Sequence, residues 1–457
     1  MHIAVIGAGI AGITTAYELA RDGHTVTVLE RNDAVAAEAS FANAGLISPA
    51  LLALLPDAGR LRRVFGRAGT DALHWQPRWH GAEWAWLRRW RGDRGGRGGR
   101  RRALLRLAEA GRERHQAITQ EHQLGHERSG GALVLRRRSG AAAQRWAALL
   151  DLGSVGVRIA ELDAAGCLRV EPGLCAETAL ADGLHLPDSL VANCRDFAHQ
   201  LRLVCERDGA VRFHFQIEVT ALHGDGGRPT LRLRPVAGHD GASTARRDPR
   251  DSKDARLRRG PGADQIAFLP TAADPPPAEL AVDAVVLCSG AESLALAASA
   301  GTRLPLLPLW GLGVTFRLRD DLQEQVLRSA VIEAETGITL TRLGQRLRVC
   351  GGWQLGGARQ AADDPAYEPL YAALDRWFPL ATQRAGAQLW RGARPTLPDG
   401  LPVVGPSSVP GVWLQMGLGG MGWTLACASA RMLADQIAGR PCALDPTPFS
   451  ARRWQTS

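Results

Sequence analysis

The first residues with chemistry in their spacing are three glycines. Gly7-Ala8-Gly9-Ile10-Ala11-Gly12 reads G-x-G-x-x-G, and Glu30 follows 18 residues after Gly12. That pattern suits a dinucleotide pyrophosphate. Gly7 permits a tight turn, Gly9 lets the backbone approach phosphate without a Cβ, and Gly12 allows close packing of helix on strand. Ile10 and Ala11 belong to this loop, and the helix it opens offers its N–H groups and positive dipole end to the phosphates. Glu30 can accept from the ribose hydroxyls of the adenosine half. The three glycines by themselves are a weak signal.

Their context strengthens it. His2-Ile3-Ala4-Val5-Ile6 is a short apolar run of the kind found in a buried strand. Residues 13–21 have helical periodicity and stop near Gly23, and Thr25-Val26-Thr27-Val28-Leu29 is a second strand ending at Glu30. The result is a βαβ unit with every element the phosphate loop requires. It does not separate FAD from NAD.

Further along, helices are expected over 102–124, 141–155, 197–208, 367–377 and 423–437, with part-helical character over 60–106. Strands are expected at 133–135, 211–222, 282–287, 310–318, 338–342 and 346–353. Residues 237–277 are Gly-, Ala-, Asp-, Arg- and Pro-rich, including Pro275-Pro276-Pro277, and read as a low-complexity insertion.

With 457 residues and 45% hydrophobic content the chain is long enough for two or three domains, and 22% charged residues excludes global disorder. The eight cysteines contain no C-x-x-C pair, so neither a zinc ribbon nor a disulfide scaffold is expected, and free thiols in a reducing compartment are. The twelve histidines show no metal spacing. His122 and His126 lie i, i+4 without a third ligand and read as two solvated helix residues. No metal is expected. No basic region precedes the first apolar run, unlike a secretory signal. Residues 401–430 carry no charge but hold three prolines and six glycines, which suits turns, a buried strand and a helix start better than a membrane span.

Other segments distinguish the cofactor by resemblance. Ser40-Phe41-Ala42-Asn43-Ala44-Gly45-Leu46-Ile47-Ser48-Pro49 resembles the segment after the second strand in D-amino-acid dehydrogenases of the small-subunit type, within the D-amino-acid oxidase superfamily. Residues 392–405, Gly-Ala-Arg-Pro-Thr-Leu-Pro-Asp-Gly-Leu-Pro-Val-Val-Gly, are similar to that family's G-x-R-P-x-x-x-D-G-x-P-x-x-G signature. Gly417-Leu418-Gly419-Gly420-Met421-Gly422-Trp423-Thr424 is similar to its carboxy-terminal flavin loop. The likeness covers nearly the whole chain apart from 237–277.

The resemblance implies an α/β chain with a Rossmann-like FAD-binding domain (1–60, 190–236, 278–300 and 388–457) interleaved with a mixed-sheet substrate domain (61–189 and 301–387). It implies non-covalent FAD and oxidative deamination of an amino acid, a D-amino acid foremost. Hydride leaves Cα for the flavin, and the imine hydrolyses to a 2-oxo acid and ammonia. Arg394 maps to the arginine that grips the substrate carboxylate through two parallel charge-assisted hydrogen bonds. Besides the phosphate loop and Glu30, the cofactor set it implies is Arg31, Ser40, Asn43, Ala44, Gly45, Leu46, Val219, Ser289, Gly290, Gly392, Gly417, Gly419, Gly420, Met421, Gly422, Trp423 and Thr424. The four glycines of 417–422 have their own reason, since they let the main chain pass close to a flat ring. The helix that follows stabilises negative charge on reduced flavin. Cys427 reads as a small core residue, and no residue stands out for covalent flavin attachment.

The chain departs from the family at three polar positions. Trp310 and Leu312 stand where the family has Lys and Tyr, and Leu418 where it has His. These three are the expected substrate-pocket residues besides Arg394. Two readings remain open: drift with an apolar preference, or a changed substrate such as an N-substituted, bulky or biosynthetic amino acid. Glycine, sarcosine or a proline-like amine is the alternative substrate class. The electron acceptor is a quinone of the respiratory chain or O2.

The charge excess is local. The chain carries +9 and one lysine, Lys253, and the segment 88–106 alone holds nine arginines against one acid, Asp93. Its Arg94-Gly95-Gly96-Arg97-Gly98-Gly99-Arg100 resembles an RNA-binding box, but one short tract in an enzyme-like chain does not predict nucleic-acid binding. A solvated loop or a contact with anionic membrane is the expectation, with Trp75, Trp79, Trp84, Trp86 and Trp90 mostly in the core. A cytoplasmic protein, peripheral at the inner face of the membrane, follows from that reading.

Overall fold

Strand His2–Ile6 lies inside a six-stranded sheet ordered Val403–Pro406, Val412–Met416, Ala284–Leu287, His2–Ile6, Thr25–Leu29, Val211–His214. All neighbours pair in parallel except the first two strands, which run antiparallel. The computed structural model describes residues 1–55, 61–63, 73–76, 81–92, 97–140, 142–224, 228–236, 246–247, 277–299, 301–319, 326–356 and 364–454. The 237–277 insertion therefore falls mainly outside the described residues. So does Trp79. The apolar runs of the sheet are continuous because both faces are covered: Ile3, Ala4, Val5, Val285, Val286 and Leu287 are fully buried.

One face carries, beside helix Cys194–Arg207, the helices Ile10–Arg21, Arg97–Glu121 and Gly422–Ile437. They pack closely. A Cβ at Gly111 would come within 2.0 Å of the Thr424 carbonyl oxygen, so only glycine fits that crossing. Glu18, fully buried, joins all three: Arg114 Nε donates to its Oε1 at 2.6 Å and Arg431 Nη1 to its Oε2 at 2.8 Å. Removing one partner of such a cluster strands a buried charge.

A second, mixed sheet runs Arg246–Arg247, Thr382–Thr396, Leu307–Leu318, Arg346–Gly356, Thr339–Leu343, Ala330–Glu333, Arg128–Arg136, Asp182–Ala192, Leu46–Ile47. Its core clusters around Phe316, Leu347 and Trp377. Segments of the two sheets alternate along the chain, so each is built from distant pieces of sequence.

Three expectations need correction. The run 211–222 is two strands rather than one. Gln216 takes φ 57° and breaks it, so Val211–His214 joins the parallel sheet and Ile217–His223 opens a three-stranded antiparallel one. The arginine tract is not a loop where described. It continues helix Gly81–Gly92 and opens helix Arg97–Glu121, whose outward positions hold the cations while Trp86, Leu87, Trp90, Leu104 and Leu107 turn inward. Trp84, in contrast, is exposed.

His122 and His126 are not solvated helix residues either. Both follow helix Arg97–Glu121. His122 meets the Tyr17 hydroxyl at 2.8 Å, and His126 is buried against His115 and Phe197, its ring 5.2 Å from each. Desolvation pulls His115 well below the usual imidazole range and His126 down to about 4. The unfolded chain binds these protons near pH 6.5. The stabilisation from neutral rings is thus complete above about pH 6.5 and is lost as the pH falls toward 4. Melting curves across that range should flatten in a His115→Leu/His126→Leu protein. An unchanged slope would assign the acid sensitivity to other groups.

Candidate active site

The ends of the parallel strands and one face of the second sheet enclose a cavity of about 900 Å³. The phosphate loop forms one wall. Gly7 has φ 100°, open to glycine and strained for other residues, and donates its N–H to Leu29 O at 2.8 Å. Gly12 does not line the cavity. A Cβ there would lie 1.8 Å from Gly7 O, so it holds the helix against the loop. Gly9 does line it, and a Cβ would meet only Ser40 Oγ, at 3.6 Å, and otherwise project into the cavity. Ser40 Oγ accepts the Ile10 N–H at 3.0 Å.

Glu30 sits beside this wall. Its Oε2 accepts the Ala8 N–H at 2.7 Å and its Oε1 the Asn32 N–H at 2.9 Å. Burial pushes its carboxyl up, and those donors hold it down. Asn32 Nδ2 also donates to Oε1, at 2.7 Å, which leaves one acceptor site, on Oε2, for a ribose hydroxyl. Ile10, Ala11, Arg31, Asn43, Ala44, Gly45, Leu46, Val219, Ser289 and Gly290 line the same space, as do Gly417, Gly419, Gly420, Gly422 and Trp423. Close approach explains Gly420, where a Cβ would strike the Trp353 ring at 2.2 Å.

Arg394 stands at the other end, on strand Thr382–Thr396, opposite Leu309 of the neighbouring strand. Its Nη1 donates to Gly352 O at 2.7 Å and its guanidinium lies 4.3 Å from the centre of the Trp353 ring. Gly311 makes room for it, since a Cβ there would come within 2.2 Å of Arg394 Cζ. No carboxylate faces it among the described residues. Burial alone pulls its guanidinium down to about 10. A half-buried cation with no counter-charge, beside an open cavity, is poised for an anion. A second guanidinium, that of the buried Arg348, donates to Thr315 Oγ1 at 3.1 Å and Asn43 O at 3.0 Å, both neutral, and is also lowered by burial. The three acids in the cavity lining, Glu30, Glu38 and Glu218, belong to the segments around the phosphate loop. Arg31 pairs with Glu38 and Arg234 with Glu218 there, while the lining at the other end holds Arg391 and Arg394 and no acid among the described residues.

Trp310 and Leu418 reach the cavity as expected. Leu312 does not. A register shift between Trp310 and Leu312 breaks the alternation of the strand, and Leu312 leans on the second core instead. Gly392, Met421 and Thr424 are also absent from the lining. A Cβ on Gly392 would lie 1.8 Å from the Trp390 ring, Met421 packs in the core, and Thr424 Oγ1 accepts the Ser48 N–H at 3.2 Å. These residues support the walls. Sequence reasoning missed Trp353, Trp390 and Arg391, which line the arginine end. Arg391 rests 4.7 Å from the Trp310 ring centre. Trp390 and Arg391 directly precede the quoted signature, and no pattern in the sequence marks Trp353.

A parallel sheet with a glycine phosphate loop, an acid at the end of the second strand, and a cavity that continues to a desolvated arginine define a dinucleotide-binding oxidoreductase. Residues 2–436 match the family model described as FAD dependent oxidoreductase. The chain belongs to that family and is an FAD-dependent enzyme. It is 33% identical over 471 residues to a D-amino acid dehydrogenase of Cereibacter sphaeroides, covering 99% of this chain and 95% of that one. It is 32% identical over 448 residues to the D-amino acid dehydrogenase of Methylobacterium radiotolerans, with 96% of each covered. Its fold superposes on glycine oxidase from Geobacillus kaustophilus with TM-score 0.70 at 19% identity, covering 98% of this chain and 97% of that one. L-proline dehydrogenase from P. horikoshii gives 0.66 at 15%, covering 99% and 97%.

Proposed function

We propose that this enzyme oxidises a D-amino acid at Cα to a 2-oxo acid and ammonia, through the imine. The observation that carries this is Arg394: half-buried beside the cavity, anchored to Gly352 O, over the Trp353 ring and without an acidic partner among the described residues. A substrate carboxylate is the partner it lacks. The name shared by relatives at about one-third identity supports the amino-acid class.

FAD, when bound, accepts the hydride from Cα. The cavity residues supply position and charge. Gly7, Gly9 and the first turn of helix Ile10–Arg21 hold the pyrophosphate, Glu30 the ribose, and the loop 417–422 the ring. Arg394 fixes the carboxylate and so restricts which Cα substituent faces the ring. Trp310, Trp353, Trp390 and Leu418 give the side-chain region an apolar, aromatic wall and exclude water. The uncharged substrate amine pushes electrons into the forming C=N bond. Oxidation of paired D and L amino acids, with 2-oxo acid and ammonia quantified, tests the reading. Activity confined to L isomers, or to amines without a carboxylate, would overturn it.

The same reading carries the electrons to a respiratory-chain quinone at the inner face of the membrane. No described helix is long and apolar enough to cross a membrane. Arg88, Arg91, Arg102 and Arg106 are exposed on the two basic helices, as is Trp84. Each basic residue near an anionic surface is worth about 1 kcal/mol. The protein should sediment with phosphatidylserine-containing vesicles and not with neutral ones, and R88Q/R91Q/R102Q/R106Q should stay in the supernatant. Equal binding to both vesicle types, or none, would count against this surface.

A further inference from the structure

A second cavity of about 470 Å³ adjoins the first, and Trp353, Leu418, Gly419 and Gly420 line both. Three arginines also line it: Arg100 and Arg101 from helix Arg97–Glu121, and Arg145 from helix Ala143–Gly153. We propose that this second cavity binds a carboxylate carried on an apolar body, at a site separate from the one that Arg394 serves.

The charge of the lining points to an anion. Arg101 Nη2 donates to Ala148 O at 2.7 Å, and Arg145 Nη1 donates to Ala334 O. Both acceptors are neutral carbonyls, so these bonds fix the guanidinium planes without cancelling their charge. Asp151 stands 3.8 Å from Arg101, but its side chain is 71% exposed, and solvent screens such a pair. A fixed guanidinium matches a carboxylate through two parallel hydrogen bonds. The one acid among the described lining residues is Asp399. Its Oδ2 accepts from Arg453 Nε at 2.7 Å and its Oδ1 from the Leu401 N–H at 3.1 Å. The ammonium of an amino acid therefore finds a committed carboxylate, which sets this cavity apart from a second zwitterion site. The apolar body is required by the rest of the wall, where Leu52 and Leu55 are half-buried and Leu309, Leu397 and Leu425 stand behind them. Such an acid has two sources: an acyl chain from a membrane, or the 2-oxo acid of an apolar substrate, the latter resting on the deamination proposed above. In either case the occupant lies against Gly419 and Gly420, whose other side faces the first cavity. Arg100 and Arg101 thus give the basic tract an inward role.

The test titrates the FAD-loaded enzyme calorimetrically with octanoate and with phenylpyruvate, one probe for each source. Arg101→Met removes the charge while keeping the stem, and Ala148→Phe fills the cavity from its wall. Arg394→Met disables the first cavity for carboxylates. At least one of the two acids should bind to the Arg394→Met protein with an affinity within about twofold of a site in the parent, and about tenfold or more weaker in Arg101→Met and in Ala148→Phe. The same titration should shift the flavin absorbance bands with the same midpoint, through the shared loop. Binding of octanoate alone makes the acid an acyl chain, and binding of phenylpyruvate alone makes it the reaction product. Binding lost in Arg394→Met but kept in the two folded wall variants overturns the proposal, because the acid then sits in the first cavity. Failure of both acids to bind overturns it as well. So does inorganic phosphate binding as tightly as either acid, which would leave the apolar wall without a part. If no amino acid reduces the flavin, the deamination reading fails, and the titrations still decide the second site.

Discussion

Replacing Arg394 with alanine is expected to lower kcat/KM by between roughly 10²- and 10⁴-fold, as removal of one partner from a buried ion pair costs about 3–5 kcal/mol. The loss arises because the substrate carboxylate would enter that end of the cavity without the guanidinium of Arg394, while Arg391, which also lines it, lies over the Trp310 ring. Arg394→Lys should recover only part. An ammonium keeps the charge, but it loses the planar fork and the contact with Trp353. Guanidinium ion added to the alanine protein should restore some activity. Stability is expected to move the other way. Burial without a counter-charge disfavours the folded state of the free enzyme. Arg394→Met, which keeps the packing of the stem, should therefore leave the melting temperature in the absence of substrate unchanged or raised. Steady-state kinetics and a thermal melt on the same preparations check both halves. A KM and kcat near the parent values in Arg394→Ala would remove Arg394 from the substrate.

Two glycines three residues apart in one loop, Gly9 and Gly12, should fail in different ways. In Gly12→Ala the new methyl would sit 1.8 Å from Gly7 O, a backbone atom that cannot step aside without moving the helix. The expected outcome is a large fall in thermal stability, with little folded protein left to load with flavin. In Gly9→Ala the methyl meets no protein atom closer than 3.6 Å and occupies cavity instead. That protein should fold with near-parental melting behaviour in the cofactor-free state and yet be purified nearly colourless. The ratio of flavin absorbance to protein absorbance, read beside the cofactor-free melting temperature, separates the two. Loss of folding in both variants would mean that Gly9 serves the fold and not the cofactor.

The nucleotide half of this site was legible because its chemistry is local. A strand, a loop of three glycines, a helix and an acid fall within residues 2–30, and each has a fixed spacing. The substrate half is assembled from strands far apart in sequence, Leu307–Leu318, Arg346–Gly356 and Thr382–Thr396. Arg394 was found through a signature that surrounds it. Trp353 stands against it only because two strands bring it there, and the bulge that turns Leu312 away from the cavity leaves no mark in the residue pattern. The helical character of the arginine tract was legible only in part, for another reason. Gly92, Gly98 and Gly99 carry poor helix propensity, and inward-facing Trp86, Trp90, Leu104 and Leu107 outweigh it through burial.

The most direct measurement combines the absorbance spectrum with anaerobic reduction. The purified protein should show flavin bands, and one or a few D-amino acids should bleach them without oxygen, more slowly when deuterium replaces hydrogen at Cα. The L isomers should leave the bands intact. A protein that binds no flavin under any loading condition, or a bound flavin that no amino acid reduces, would contradict a cavity built to place Cα–H against FAD with Arg394 on the carboxylate.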